Sequence, residues 1–319
     1  MMQAGLTKLK GRTNNGWLMS AAVVGLVMAG CGVTGCVNSP LGHPRGPSAN
    51  RWWSLPIGYV SWQWVLNHPL TLNDPSDMGT NDLLPSGSPA PAPTVYDIDG
   101  VINSSATVAA LHGRGDHVIC YIEAGSAGNY YSAQQEGITT SYFDQFRTAG
   151  VLGNTLPGYP EESFLNIASP AAVSIVESMI QHECAAKRFD AVETDLDETY
   201  TGYDGPTGFR TNKAIERAFM TTLANYIHTL KMGWIAKNLV DTNDNFSSTM
   251  EPYADGLLTE DCNQRKQCGR AAKYIANGKG VLDAEYNLAT SQFCRVDDIA
   301  GINGAQLDTN VDGFRQPCR

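Results

Sequence analysis

Phe189-Asp190-Ala191-Val192-Glu193-Thr194-Asp195-Leu196-Asp197 is the stretch that decides the fold. Successive side chains of an extended strand point to opposite faces, so Ala191, Glu193 and Asp195 share one face and Val192, Thr194 and Leu196 the other. With the small and acidic face turned into a barrel, Asp195 sits at the mouth and Glu193 one layer deeper. Asp197 then lies on the following loop.

Working outward, similar runs occur at Tyr59–Leu66, Thr94–Ile98, His117–Ala124, Gly233–Ala236, Gly256–Thr259, Gly280–Ala284 and Gly304–Leu307. With Phe189–Thr194 they make eight candidate strands. Helical patterns lie between several of them: Ser169–Lys187 carries Ala172, Ile175, Val176, Met179 and Ile180, and Asn212–Lys231 carries Ile215, Phe219, Leu223, Tyr226, Ile227 and Leu230. Spacings of three and four put these apolar residues on one helix face. Strands alternating with such helices predict parallel βα units, and eight units predict a single-domain (β/α)8 TIM barrel over residues 51–319. An open doubly wound sheet is the alternative, but no strand is followed by G-x-G-x-x-G. Asp74–Pro93, with five prolines, reads as a long loop after the first strand.

In a barrel the chemistry comes from the C-terminal ends of the strands. Read that way, the chain offers Asp97 and Asp99, Glu123, Glu193, Asp195 and Asp197, the Lys237-Asn238 pair, Glu260-Asp261 and Glu285-Tyr286. A single acid after a strand often caps the next helix. Acids at the ends of most strands, with one Lys-Asn, point instead to paired-carboxylate sugar chemistry. One group protonates the leaving oxygen while the other attacks the anomeric carbon or activates water. Lys237 is expected to ion-pair with the attacking acid and keep it ionised, and Asn238 to bond a sugar hydroxyl.

Other chemistries fit less well. Ala124-Gly125-Ser126-Ala127-Gly128 has its first Gly one place too close to Ser for a nucleophile elbow. Two of the six histidines, His182 and His228, fall on predicted helices and His43 lies near the N-terminus. No C-x-x-C or H-E-x-x-H occurs, so neither a metal nor any other cofactor is expected.

The charge balance narrows the partners. Residues 1–30 hold three bases and no acid, leaving 19 bases against 32 acids on the rest, a net −13. Such a surface argues against nucleic acid, which needs clustered Lys and Arg, and suits a neutral or cationic ligand. At the N-terminus, Lys8, Lys10 and Arg12 precede an apolar run from Trp17 to Gly30. This reads as a secretory signal over residues 1–30, too short for a membrane-spanning helix. Met28-Ala29-Gly30-Cys31 resembles a bacterial lipobox, with Cys31 as the lipidated residue; ordinary cleavage nearby is the alternative. Residues 31–50 read as a flexible tether. Membrane contact is expected only through the lipid anchor, and the barrel is expected to be a monomer.

Export gives the cysteines meaning, since six of eight lie beyond the tether and an oxidising compartment favours disulfides. Cys262 and Cys268 are close enough to pair across a short loop. Cys294 with Cys318, and Cys120 with Cys184, are the remaining candidates, and connectivity beyond the first pair stays open.

The chain resembles glycoside hydrolase family 114, the endo-α-1,4-polygalactosaminidase-like group of TIM barrels. The resemblance runs over residues 55–287 and is carried by Ser61-Trp62-Gln63-Trp64-Val65-Leu66, Val95-Tyr96-Asp97-Ile98-Asp99, Val118–Ile122 with Ala124-Gly125-Ser126, and Phe189–Asp195. Thr207-Gly208-Phe209, Lys237-Asn238, Glu260-Asp261-Cys262 with Cys268, and Glu285-Tyr286 follow in the same order. It implies a retaining mechanism with Asp195, after the fourth strand, as nucleophile and Glu260, after the sixth, as general acid/base. The expected substrate contacts are Trp62, Asp97, Asp99, Glu123, Glu193, Asp197, Lys237, Asn238, Glu285 and Tyr286. It implies α-1,4-linked, galactosamine-containing polysaccharide as substrate, and the acidic balance suits such a cationic amino-sugar polymer. The chain departs from the family pattern at Leu196, where the family has Asn, and at Glu123, where it has Ser. It also carries Asn129-Tyr130-Tyr131 in place of a Glu and an Arg, and Phe164-Leu165-Asn166-Ile167 in place of Trp-Leu-Asp-Ile. A catalytically silent barrel that binds polysaccharide or acts as a surface interaction domain is the alternative reading.

Overall fold

The strands β1 (Trp62–Val65), β2 (Val95–Asp99) and β3 (His117–Glu123) lie parallel, side by side, in the computed structural model. The structure describes residues 52–241 and 245–319. After β3 the chain leaves the main sheet and builds a small antiparallel one from β4 (Ser126–Gly128), β5 (Leu152–Leu156) and β6 (Tyr159–Leu165), in the order β4-β6-β5. It returns with β7 (Ala191–Asp195), β8 (Gly233–Lys237), β9 (Gly256–Glu260), β10 (Val281–Glu285) and β11 (Asn303–Leu307). Each of these pairs parallel with the strand before it, β7 joining β3. The result is the (β/α)8 barrel that the alternation predicts, with all eight strand segments in their expected places.

A short ninth strand, β12 (Arg315–Pro317), runs antiparallel to β11 and brings the sheet close to closure. Its Arg315 guanidinium is buried at the seam, donating to Trp62 O at 2.6 Å and Ser61 Oγ at 3.0 Å and pairing with Asp82 at 2.7 Å. A buried charge needs such a full set of partners. Asp82 belongs to the proline-rich segment after β1, which is thereby tied to the barrel wall.

The alternation reads through to the packing. Ala191 joins Trp62, Trp64, Ile119, Ile235, Leu258 and Leu282 in the apolar cluster inside the barrel. Val192, next in sequence, joins the larger cluster between strands and helices with Trp234, Leu257 and Val281. The helix Lys213–Thr229 buries Phe219, Met220, Leu223, Ala224 and Ile227 on its sheet-facing side. Its Asn212 side chain caps the first turn by accepting from Ala214 N and Ile215 N. The helix Pro170–Met179 starts on proline and continues into a π-helical turn, Ile180–Ala185. Cys184 on that turn is joined to Cys120 on β3.

Cys262–Cys268 and Cys294–Cys318 are also disulfides, so all three candidate pairs form. No helix among the described residues is long and apolar enough to cross a membrane. The signal segment 1–30, the tether 31–50 and Cys31 lie outside the described residues.

Candidate active site

Lys237 is the hub of the barrel mouth. It ends β8, is nearly inaccessible, and places its ammonium 3.0 Å from Asp195 Oδ1 on β7 and 3.3 Å from Glu260 Oε2 on β9. Glu193 Oε1 lies below it at 3.7 Å. The ammonium also sits over the Trp64 ring at 4.9 Å and the Tyr121 ring at 5.5 Å, whose electron-rich faces favour a cation.

Asp195 has a complete set of donors. Tyr121 Oη donates to Oδ2 at 2.8 Å and Leu196 N to Oδ1 at 2.9 Å. Burial alone would push its carboxyl up, but the Lys237 charge and these hydrogen bonds outweigh it and hold Asp195 below the usual carboxylate range. Lys237 shows the complementary effect: burial disfavours its charge, yet Asp195, Glu260 and Glu193 together raise it well above the usual lysine value.

Glu260 is gripped differently. Asn238 Nδ2 donates to Oε2 at 2.7 Å, Tyr286 Oη donates to Oε1, and Glu260 N returns a bond to Asn238 Oδ1 at 2.9 Å. The Asn238 amide therefore grips Glu260 through both its nitrogen and its oxygen.

The residues that follow these strand ends are backbone exceptions. Leu196, Asn238 and Asp261 directly follow Asp195, Lys237 and Glu260, and all three are left-handed, with φ of 60°, 54° and 54°. That conformation costs a non-glycine residue energy and is characteristic of functional sites. It turns the chain sharply away, leaving each preceding side chain at the rim. Gly125 completes the fit, because a β-carbon there would meet Leu196 O at 2.4 Å. Its N–H donates to Asp195 O at 3.0 Å.

The sequence matches glycoside hydrolase family GH114 over residues 43–319. The chain belongs to glycoside hydrolase family 114. It is a glycoside hydrolase. Among solved structures, this GH114 barrel is similar to the crystal structure of Aspergillus fumigatus Ega3 in complex with galactosamine. The identity is 25% and the TM-score 0.68, over 86% of this chain and all of that one. The glycoside hydrolase domain of PelA from Pseudomonas aeruginosa shares the fold at 10% identity and TM-score 0.55, over 80% of this chain and 97% of that one. No curated protein matches the sequence.

Several expected contacts of the GH114 site are gathered at the mouth and others are not. Tyr286, Asn238 and Lys237 surround the two acids as described. Asp97 and Glu193 face inward beneath Lys237, both fully buried. Asp99 is spent on the backbone, accepting from Val101 N at 2.7 Å and Ile102 N at 2.9 Å and from Tyr131 Oη. Asp197 is likewise turned to structure: it accepts from Thr194 Oγ1 at 2.9 Å and from Lys237 N at 3.0 Å. Trp62 lies in the barrel floor with its indole N–H on Asn303 O at 2.9 Å, and its neighbour on the same face, Trp64, is the one that reaches Lys237. Glu285 points to the outer side of β10, where it accepts from Asn263 N at 2.6 Å and holds the loop after β9. Its alternation partners Leu282 and Ala284 are the ones inside. Cys262, Cys268, Asp283 and Glu285 cluster there, but the two sulfurs are joined in a disulfide and are not thiolate ligands.

Beside the expected Glu123, the structure adds Glu162, Asp204, Tyr159 and Tyr203 to the rim. Glu162 on β6, half-buried, is pushed up to about 7 by desolvation, with the Asp195 charge adding to the shift. Burial also raises Glu123, at the end of β3, well above its usual value, with Glu162 and Asp195 adding to the shift. Asp204, on the loop after β7, is raised to about 6 by burial and by Asp195. Tyr159 and Tyr203 stand exposed beside these acids. Arg265 lies over the Tyr203 ring at 4.7 Å. Glu162 and Asp204 had no strand-end position to mark them, and their one local signal is a tyrosine close to acids, at Tyr159-Pro160-Glu161-Glu162 and Tyr203-Asp204.

Proposed function

We propose that the chain is an exported, retaining glycosidase that cleaves α-1,4-linked, galactosamine-containing polysaccharide. The observation that carries this reading is the Lys237 ammonium, which touches Asp195 and Glu260 at once. Distances of 3.0 and 3.3 Å to one nitrogen keep those two oxygens within about 6.3 Å of each other at most, and closer wherever the angle at the nitrogen is bent. Retaining enzymes separate their carboxyl groups by about 5–5.5 Å, whereas inverting ones need about 6.5–9.5 Å to admit water. The short span supports retention.

In this mechanism Asp195, held ionised by Lys237 and Tyr121, attacks the anomeric carbon. Glu260 gives its proton to the departing glycosidic oxygen. A covalent glycosyl-enzyme results; Glu260, now a base, removes a proton from water as that water attacks the anomeric carbon and frees Asp195. Lys237 stays protonated throughout and spreads its charge over both carboxyl groups. Asn238 and Tyr286 fix the orientation of the Glu260 carboxyl at the rim.

The amino-sugar preference rests on charge. Glu162, Glu123 and Asp204 place further carboxyls beside Asp195. Asp204 and Glu162 ionise near neutral pH, so a protonated sugar amine is drawn to them and favours their charged forms, while a uronic acid polymer is repelled. Ega3, the relative at 25% identity, was crystallised with galactosamine. The test is incubation of the purified barrel with α-linked galactosamine polymers of graded acetylation, beside a neutral α-galactan, with mass spectrometry of products. Oligomers should appear from the deacetylated polymer first; cleavage of the neutral galactan alone would refute the substrate assignment.

Export and lipidation at Cys31 complete the proposal. Three disulfides in the barrel favour an oxidising compartment. Changing Cys31 to Ser should release the protein from the membrane fraction, and a mature N-terminus well downstream of Cys31 would contradict it.

A further inference from the structure

Beneath Lys237 lies a pair of acids that the mechanism above leaves idle. Asp97 on β2 and Glu193 on β7 face each other across the barrel interior, each with 0% exposure. None of their four carboxyl oxygens meets an N–H or hydroxyl donor. Their nearest polar neighbour is each other: both acids are fully buried, and each carboxyl acts on the other. Ionised carboxylates only accept, so two such neighbours with no other donor can satisfy each other only when one of them carries a proton.

The surroundings make the same demand. The charged or titratable groups facing the pair are Tyr121 on β3, Asp195 above it on β7, Lys237 on β8, Glu260 on β9 and Tyr286 after β10. Lys237 is the one cation among them, and it is already shared between Asp195 and Glu260. Two bare charges in a dry interior with a fraction of one counter-ion would be prohibitively costly.

We infer that Asp97 and Glu193 hold a single shared proton, and that in this state they position Lys237 between Asp195 and Glu260. The inference rests on the roles given to those two acids above. With the proton in place, the pair bears one negative charge and leaves the ammonium at the mouth. When it is lost, a second charge appears at Glu193, 3.7 Å from the ammonium, and draws it down from Asp195. Burial raises both acids, Asp97 to about 7. Turnover should therefore fall as pH rises through the titration of the pair. Asp97 and Glu193 are positioning residues: they act through Lys237 and touch no substrate.

Glu193→Gln supplies the test, because the amide keeps the shape and donates to Asp97 as the neutral acid does, yet cannot titrate. Infrared difference spectra, wild type minus variant, near neutral pH should show the carbonyl stretch of a buried, protonated carboxylic acid. Asp97→Asn should lose the same band, which keeps the test open if one variant folds poorly. On whichever α-glycoside the wild type cleaves, the alkaline limb of kcat should move up by about one pH unit or more in Glu193→Gln. Glu193→Ala, which cannot hold Asp97, should lose turnover at every pH. Absence of the band from both difference spectra, or an alkaline limb that stays in place, would overturn the inference. The infrared arm needs no substrate, so it decides the shared proton even if the galactosamine assignment fails.

Discussion

Asp195 Oδ1 sits 3.0 Å from Lys237 Nζ, with Tyr121 Oη on the other carboxyl oxygen at 2.8 Å. The two partners end neighbouring strands, β7 and β8, whose register is fixed by Glu193 pairing with Ile235. Their meeting is thus set by the sheet and not by flexible loops, which is how a site is held to the tolerance that catalysis needs.

Replacing Lys237 by Met should abolish most activity and move what remains. Asp195 is depressed in the folded protein, so its contribution to stability is present above the unfolded value and lost as pH falls through the folded one. Without the ammonium its carboxyl rises, so the acid limb of kcat/KM shifts to higher pH. Breaking a largely buried pair from one side costs about 3–5 kcal/mol. A pH–rate profile and thermal melts across the acid range check both effects.

The disulfides should differ in worth. Cys262–Cys268 closes a loop of sequence separation 6 and Cys120–Cys184 one of separation 64. Loop-closure entropy assigns about 2 kcal/mol to the first and about 4 kcal/mol to the second. Paired Cys→Ser variants in chemical denaturation should reproduce that order. Loss of the short loop should depress kcat more, because it follows Glu260.

Leu196→Asn should stabilise the protein. Leu196 holds a left-handed backbone at φ 60°, which costs a residue of its shape about 1–2 kcal/mol and Asn much less. A gain of about 1 kcal/mol, or roughly 2–4 °C in Tm for a domain of this size, is expected by calorimetry. The bond from its N–H to Asp195 does not depend on the side chain and should survive.

Tyr159→Ala and Tyr203→Ala should raise KM with a smaller change in kcat. Both rings are more than half exposed, at 59% and 62%, so their loss should leave Tm within about 1 °C. A several-fold rise in KM, about 1 kcal/mol of lost contact, is the expected size. Unaltered KM in both would remove the rim from the substrate path.

Much of this was legible in sequence because βα alternation and strand-end acids are local patterns. Ala191, Glu193 and Asp195 could be assigned to one face from periodicity alone. Glu285 and Tyr286 show where that logic needed one more step. Neighbours on a strand face opposite ways, so only one could reach the mouth, and with both faces of β10 buried the composition did not say which. Trp62 and Trp64 share a face, and only the stagger of the barrel decides which lies at Lys237's depth. The β4-β6-β5 sheet was invisible because its longest strand, β6, begins Tyr159-Pro160-Glu161-Glu162 and has no apolar alternation there. Glu162 comes beside Asp195 through that sheet, a contact that no spacing in the chain announces.

The central claim is that Asp195 becomes glycosylated, and it can be read directly. In Glu260→Gln, α-galactosaminyl fluoride can still glycosylate the nucleophile, since fluoride departs without the acid, but the base that should activate water is missing. Peptide mass mapping of the stalled protein should find one galactosaminyl group on the peptide bearing Asp195, on that side chain. An adduct on Glu193 or elsewhere, or steady turnover of the fluoride to a β-anomer with no adduct, would contradict the account.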